Sequence, residues 1–209
     1  MKVRVVTARN AEVHIKAMED YTKKAFGLEV HLAKIFNLSL IPSLLTTVSW
    51  TSVLPVFIPK VNNRQAVDSL ITGGFKNFKK KAYEVEDVMK YKGSEASDQL
   101  RLLLIESSPR PNTDTMGVSH RNLVKTGKLW LPLKGYAIAQ GLYHQMTKEY
   151  LDPETWTWFP SETLSDGRTA FGYWRPGYGN VGFGRRGSGY EDGYYGARLA
   201  IPVPLILQP

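Results

Sequence analysis

The stretch from Gly172 to Gly196 constrains this chain most, because it holds nine of the 18 glycines and five of the 11 tyrosines. Glycine is a poor helix former, so the stretch reads as strands and loops. Tyr173, Trp174, Tyr178, Phe183, Tyr190, Tyr194 and Tyr195 are spaced among its glycines, with Arg175, Asn180, Arg185, Arg186, Ser188, Glu191 and Asp192 between them. Tyr, Trp and Arg give large amphipathic contact area, while Gly, Ser and Asn give adaptable spacing, which is the composition of a recognition surface. The competing reading is a glycine-rich coil whose rings only cover a core. Five tyrosines among few aliphatic residues are hard to bury together, since each hydroxyl needs a partner. The candidate ligand-binding residues are therefore Trp174, Arg175, Tyr178, Asn180, Phe183, Arg185, Arg186, Ser188, Tyr190, Asp192, Tyr194 and Tyr195.

Upstream, the patterning alternates between helix and strand, which predicts an α+β fold. Lys2 to Thr7 reads as a strand. Asn10 is the expected N-cap of a helix carrying Val13, Ala17, Tyr21 and Ala25 and stopping at Gly27. Val30 to Leu40 is ambiguous, Thr46 to Ile58 reads as one or two strands, and Asn63 to Ile71 as a short helix. Gln99 to Glu106 is a strand around Leu102, Leu103, Leu104 and Ile105. Ser107 to Thr115 is a loop and the best linker, which divides an N-terminal α+β region (1–110) from a second unit (111–209). Lys128 to Leu133 reads as a short strand and Gly135 to Tyr150 as a helix broken by Asp152 and Pro153. A strand follows with Trp156 and Trp158 on one side, then a turn over 165–168 and a closing apolar run over 197–207.

Other features exclude whole classes of chemistry. The 209 residues include no cysteine, which removes disulfides, thiolate metal sites and cysteine nucleophiles. Four scattered histidines (His14, His31, His120, His144) make a histidine metal cluster unexpected, and no metal or cofactor is expected. No Walker loop, GxSxG elbow or HExxH pair occurs. Residues 182–187 match GxGxxG by letter, but no βαβ pattern surrounds them. Glu149, Asp152 and Glu154 read as a solvated helix end rather than an acid–base pair. No signal peptide is recognised at the start. Asn37 to Pro59 is uncharged over a length that reaches across a bilayer, yet Pro42, Pro55 and its Ser/Thr content favour buried or interfacial strands, so no membrane span is expected.

The net charge is +8, with most of the excess in residues 1–110. Lys76 to Lys81 interleave with Phe75 and Phe78, a pattern that fits either nucleic-acid contact or an amphipathic element with its lysines in water. Glu84, Glu86 and Asp87 then interrupt any phosphate track.

The order of the second unit carries a resemblance. A helix leads into LDPETWTW (151–158), then SDGR (165–168), then GYW (172–174), a variable-looking stretch, and GARLA (196–200). This resembles the C-type-lectin-fold ligand-binding proteins of phages and bacteria, and is similar in particular to the variable proteins diversified by retroelements. The resemblance covers roughly residues 116–209. It implies a displayed variable segment over Tyr173 to Tyr195, made largely of residues that adenine-directed mutagenesis yields, and a closing strand that returns to the core. It further implies Trp156, Trp158, Leu199, Ile201 and Val203 as core, Arg198 paired with a buried acid, a homo-oligomer (a trimer by analogy), and a virion or cell-surface setting. The segment departs from the family in being rich in Gly and Tyr rather than Asn and Ser. The Glu-Pro-Asn and Trp-Asn-Asp ligands of calcium-dependent lectins are absent, so no calcium-dependent sugar site is expected. The resulting expectation is a non-enzymatic protein that binds a protein or glycan. The alternatives are a basic nucleic-acid binder using Lys76 to Lys81 with Arg121, Lys125 and Lys128, or a virion subunit without a ligand.

Overall fold

The computed structural model describes residues 8–50, 52–72, 99–163 and 166–206, and they form an α+β fold. The strand expected over Lys2 to Thr7 and the basic run Phe75 to Lys81 lie outside the described residues.

Helix α1 (Ala8–Phe26) ends at Gly27, whose φ of 70° and N–H bond to the Lys23 carbonyl (2.9 Å) form a left-handed stop. It starts two residues ahead of the expected Asn10 cap. Its buried side is Ile15, Met18, Tyr21, Thr22 and Ala25, while Val13 is exposed. Strict four-residue steps drift about 40° per step around a 3.6-residue helix, so Val13 falls off the stripe that Tyr21 and Ala25 occupy.

The uncharged stretch after Asn37 is broken into short pieces. Helices α2 (Leu32–Ile35) and α3 (Ile41–Leu45) flank a 3-10 turn at Leu38–Leu40. The Thr46 and Thr47 hydroxyls then donate to the Ser43 and Leu44 carbonyls (2.7 Å each), and these local bonds compete with any ladder. The strand expected from Thr46 therefore begins only at β1 (Val53–Ile58), which is buried along its whole length. Among the described residues no helix is long and apolar enough to cross a membrane.

Helix α4 (Asn63–Thr72) and strand β2 (Arg101–Glu106) follow the expected periodicities. After α5 (His120–Lys125), the strand expected over Lys128 to Leu133 shrinks to a single bridge between Trp130 and Leu199. Pro132 has no N–H for a ladder and instead caps α6 (Leu133–Thr147). This helix ends at Lys148 in the left-handed conformation. Strands β3 (Trp156–Thr163), β4 (Arg168–Arg175), β5 (Asn180–Gly187), β6 (Tyr195–Ala197) and β7 (Ala200–Val203) complete the chain.

Two sheets result. The first has the order β1-β2-β7 and is antiparallel, with Val53 opposite Glu106 and Leu104 opposite Ile201. The second has the order β5-β4-β3-β6, antiparallel except for the parallel pair β3–β6. Helix α6 lies between elements from both parts of the chain and is buried without a break from Leu133 to Tyr143. It approaches α1 so closely that a Cβ on Gly141 would sit 2.0 Å from the Tyr21 hydroxyl. The main core runs from Ile15 through β1, β2 and α6 to Phe159, Phe183 and Val203, so it crosses the 110/111 boundary drawn from sequence. A smaller cluster joins Leu123, Trp130, Trp158, Phe171, Tyr195 and Ala197 on the far side of the second sheet.

Candidate functional site

Strand alternation and register give the second sheet two unlike faces. Phe159, Ala170, Trp174, Val181 and Phe183 belong to the main core, where Tyr136 of α6 packs against Phe159 and Phe183 at ring distances of 5.3 and 6.2 Å. Trp174 stacks on Tyr150 at 3.6 Å. The opposite face carries Trp156 and Trp158 on β3, Phe171 and Tyr173 on β4, and Tyr195 on β6.

Register explains much of the glycine content. Phe171 lies opposite Gly184, Phe183 opposite Gly172, and Tyr173 opposite Gly182. Added Cβ atoms would lie 2.5 Å from the Phe171 ring at Gly184 and 2.6 Å from the Tyr173 ring at Gly182. The Phe171 and Tyr173 rings thus rest over a bare backbone on the neighbouring strand, while the space beside Gly172 is taken by the Tyr136 ring, 2.5 Å from where a Cβ would sit. Residues 182–187 sit within the β5 ladder and form no strand-to-helix phosphate turn.

The outer face is only partly covered. Helix α5 covers one end, with Leu123 and Trp130 in the cluster and His120 edge-on to Trp158 at 6.5 Å. Burial lowers the His120 pKa. At the other end Trp156 stays half-buried and touches Tyr173 (6.2 Å), Tyr194 (6.0 Å) and Tyr195 (4.5 Å). The loop after β5 projects beside it. On it Tyr194 and Tyr190 are 60% and 39% exposed, and Tyr178, in the turn between β4 and β5, is 66% exposed. Asp192 shapes this loop: its carboxylate accepts the Tyr190 hydroxyl and the Tyr194 N–H, both at 3.0 Å, and its carbonyl accepts the Tyr195 N–H at 2.9 Å.

The arginines lie against these rings. Arg186 is 5.6 Å from the Tyr190 ring centre, and its interaction with the Tyr195 phenol raises its pKa. Burial raises the Tyr195 pKa and Arg186 opposes that rise. Arg175 donates to the Tyr173 hydroxyl and lies 4.9 and 5.9 Å from the Tyr173 and Tyr178 rings.

Of the residues expected to bind a ligand, Arg175, Tyr178, Arg185, Arg186, Ser188, Tyr190, Asp192 and Tyr194 are exposed or half-exposed. Arg185 opposes Ala170, whose side chain lies in the main core, so it is on the other face of the sheet. Trp174, Asn180, Phe183 and Tyr195 are buried, which corrects their placement on a contact surface. Pairing decides the matter: Trp174 and Phe183 alternate onto the α6 side, and Tyr195 is enclosed by Trp158 (4.4 Å) and Phe171 (5.1 Å). Sequence reasoning gave Trp156 to the core and left Tyr173 out of the site set, yet both are half-exposed members of the open face. Their signal was alternation with Phe171 and Trp158, but only the position of α5 determines where cover ends.

A buried ion pair supports this face from below. Arg198 donates to Asp152 at 2.6 Å, to the Thr157 hydroxyl at 3.2 Å and to the Ser108 carbonyl at 2.9 Å. Asp152 also accepts from Thr157 (2.6 Å) and Thr155 (3.2 Å). The expected pairing of Arg198 within the core is present. Asp152 itself is fully buried, which corrects its reading as part of a solvated helix end.

Among the described residues no three His, Asp or Glu side chains are grouped to hold a metal ion. No protein-family model, curated protein or solved structure matches the chain.

Proposed function

We propose that this chain is a non-enzymatic ligand- or receptor-binding protein, and that its contact surface is the uncovered end of the outer face of the second sheet. The observation that carries the reading is the cluster of exposed Tyr190 and Tyr194 around half-buried Trp156, held on a loop that Asp192 pins by three hydrogen bonds. Rigid aromatic side chains on a pinned loop lose little conformational freedom on binding, which is what an anchor residue needs.

A C-type-lectin-like scaffold for residues 111–209 belongs to the same proposal. It is supported by the order of α6, a tryptophan-bearing strand and a glycine-rich hairpin. On this reading the ligand is a protein or glycan, no metal or cofactor takes part, and the setting is a virion or cell surface, with the chain self-associating for display. The nucleic-acid alternative keeps exposed Arg121, Lys125 and Lys128, but Glu191 and Asp192 stand inside the aromatic surface and oppose a polyphosphate.

The test screens the full chain and a W156A/Y194A double variant against a glycan array and a displayed peptide library. We expect selected binders to lose about tenfold or more in affinity on the double variant, as hot-spot truncations do, with circular dichroism unchanged. Equal binding by both proteins would overturn the proposal.

A further inference from the structure

We infer that this surface takes an acidic segment of a partner protein, whose carboxylates meet Arg121, Lys125, Lys128 and Arg186 while its apolar side chains seat on Trp156 and Tyr194. This inference rests on the surface assignment above and adds the chemistry of the occupant.

Four observations carry it. First, Arg121 and Lys125 are one helical turn apart on α5, Lys128 follows the Gly127 turn, and all three are exposed, as is Arg186. None of the four has a carboxylate within ion-pairing distance among the described residues, whereas Lys16, Lys23, Arg64, Arg110 and Arg168 are paired. Second, the two carboxylates of the loop are engaged otherwise. Asp192 holds Tyr190 and the Tyr194 N–H, and Glu191 accepts from Asn122 at 3.4 Å.

Third, two of the cations, Arg121 and Arg186, adjoin the loop that carries the rings. The Arg121 N–H bonds the Ser188 carbonyl at 2.9 Å, and its guanidinium lies 3.7 Å from where a Gly189 Cβ would sit. From there Arg186, Tyr190, Tyr195 and Trp156 follow at 5.6, 5.4 and 4.5 Å. Fourth, the mixture of charges selects the class of partner. A neutral glycan leaves the cations unmatched. A polyphosphate meets Glu191 and Asp192 in the middle of the surface. A polypeptide supplies carboxylates for the rim and apolar side chains for the rings, and it can space its charges away from Glu191 and Asp192 where the evenly repeated charge of a polyphosphate cannot.

The experiment uses a fluorescein-labelled copolymer of glutamate and tyrosine and a labelled oligothymidylate, titrated with the full chain by fluorescence anisotropy. Three double variants accompany the wild type: R121E/K125E at the rim, W156A/Y194A at the rings, and K34E/K148E as a charge-matched control at exposed sites elsewhere. We expect R121E/K125E to weaken copolymer binding by about tenfold or more, the control to leave it within about twofold, and the copolymer to bind more tightly than the oligothymidylate. Raising salt from about 50 to about 200 mM should also weaken it. The inference is overturned by an absence of copolymer binding, by equal loss in the control variant, or by tighter binding of the oligothymidylate. If library or array binders are lost with W156A/Y194A but survive R121E/K125E, the surface stands and the acidic partner falls.

Discussion

Glu162 illustrates how one side chain on this sheet links position to pH. It projects from β3 into a fully buried site, where one carboxylate oxygen accepts the Leu133 N–H at 2.9 Å at the start of α6. The other oxygen has no hydrogen-bond partner. Desolvation raises its pKa to about 8 from an ordinary 4.5, against the opposing pull of the Leu133 N–H and of Lys134. The folded state therefore holds a proton that the unfolded chain releases above pH 4.5. That contribution is complete below pH 4.5 and is lost as pH rises toward 8, at up to about 1.4 kcal/mol per pH unit. Urea unfolding between those limits should show wild-type stability falling relative to E162Q, whose amide has no charge to gain. Parallel pH profiles for the two proteins would show that Glu162 is not held neutral. Nothing in the residue type signals this. A glutamate near the end of a strand reads as solvent-facing until the start of α6 is seen to lie over it.

Strand β5 turns a compositional oddity into packing. Gly184 faces Phe171, and Phe171 cannot give way because Trp158 and Tyr195 stand against it at 5.6 and 5.1 Å. G184A should therefore cost about 1–3 kcal/mol through displaced rings. G193A, at a glycine with ordinary φ and open space around it, should stay within about 0.5 kcal/mol. Thermal unfolding of the two variants measures the difference, and equal losses would refute ring-over-glycine packing. The same strands show what sequence can and cannot reveal. Helices α1 and α4 and strands β2 and β3 follow from periodicity, and Gly27 marks the end of α1. The sorting of the Gly172 to Gly196 rings into buried and exposed does not follow from it. That sorting depends on which residue opposes which across β4 and β5, and on where α5 stops covering the sheet. The burial of Asp152 is hidden in the sequence for a related reason, since its partner Arg198 lies 46 residues away.

The whole molecule is tied together through α6. Its buried stretch contacts β1, α1 and α4 on one side and β4 on the other, and β7 at the end of the chain completes a sheet that β1 and β2 begin. Cutting at the 110/111 linker removes α1, β1, α4 and β2 together. Residues 111–209 then expose the side of α6 that meets Tyr21 and β1, and they leave β7 without its neighbour. The binding surface depends on that frame, because Phe159 and Phe183, on the reverse side of the sheet that carries Trp156, pack against Tyr136. The intact chain should unfold in one transition seen identically by near- and far-ultraviolet circular dichroism. The isolated 111–209 fragment should lack near-ultraviolet ellipticity and bind a hydrophobic dye, as states without fixed packing do. A fragment that melts sharply and still binds the selected ligands would instead make the second unit autonomous, with the N-terminal residues an attachment to it. The shared burial of α6 favours the cooperative outcome, since a helix buried on all sides from Leu133 to Tyr143 has no face already turned toward water.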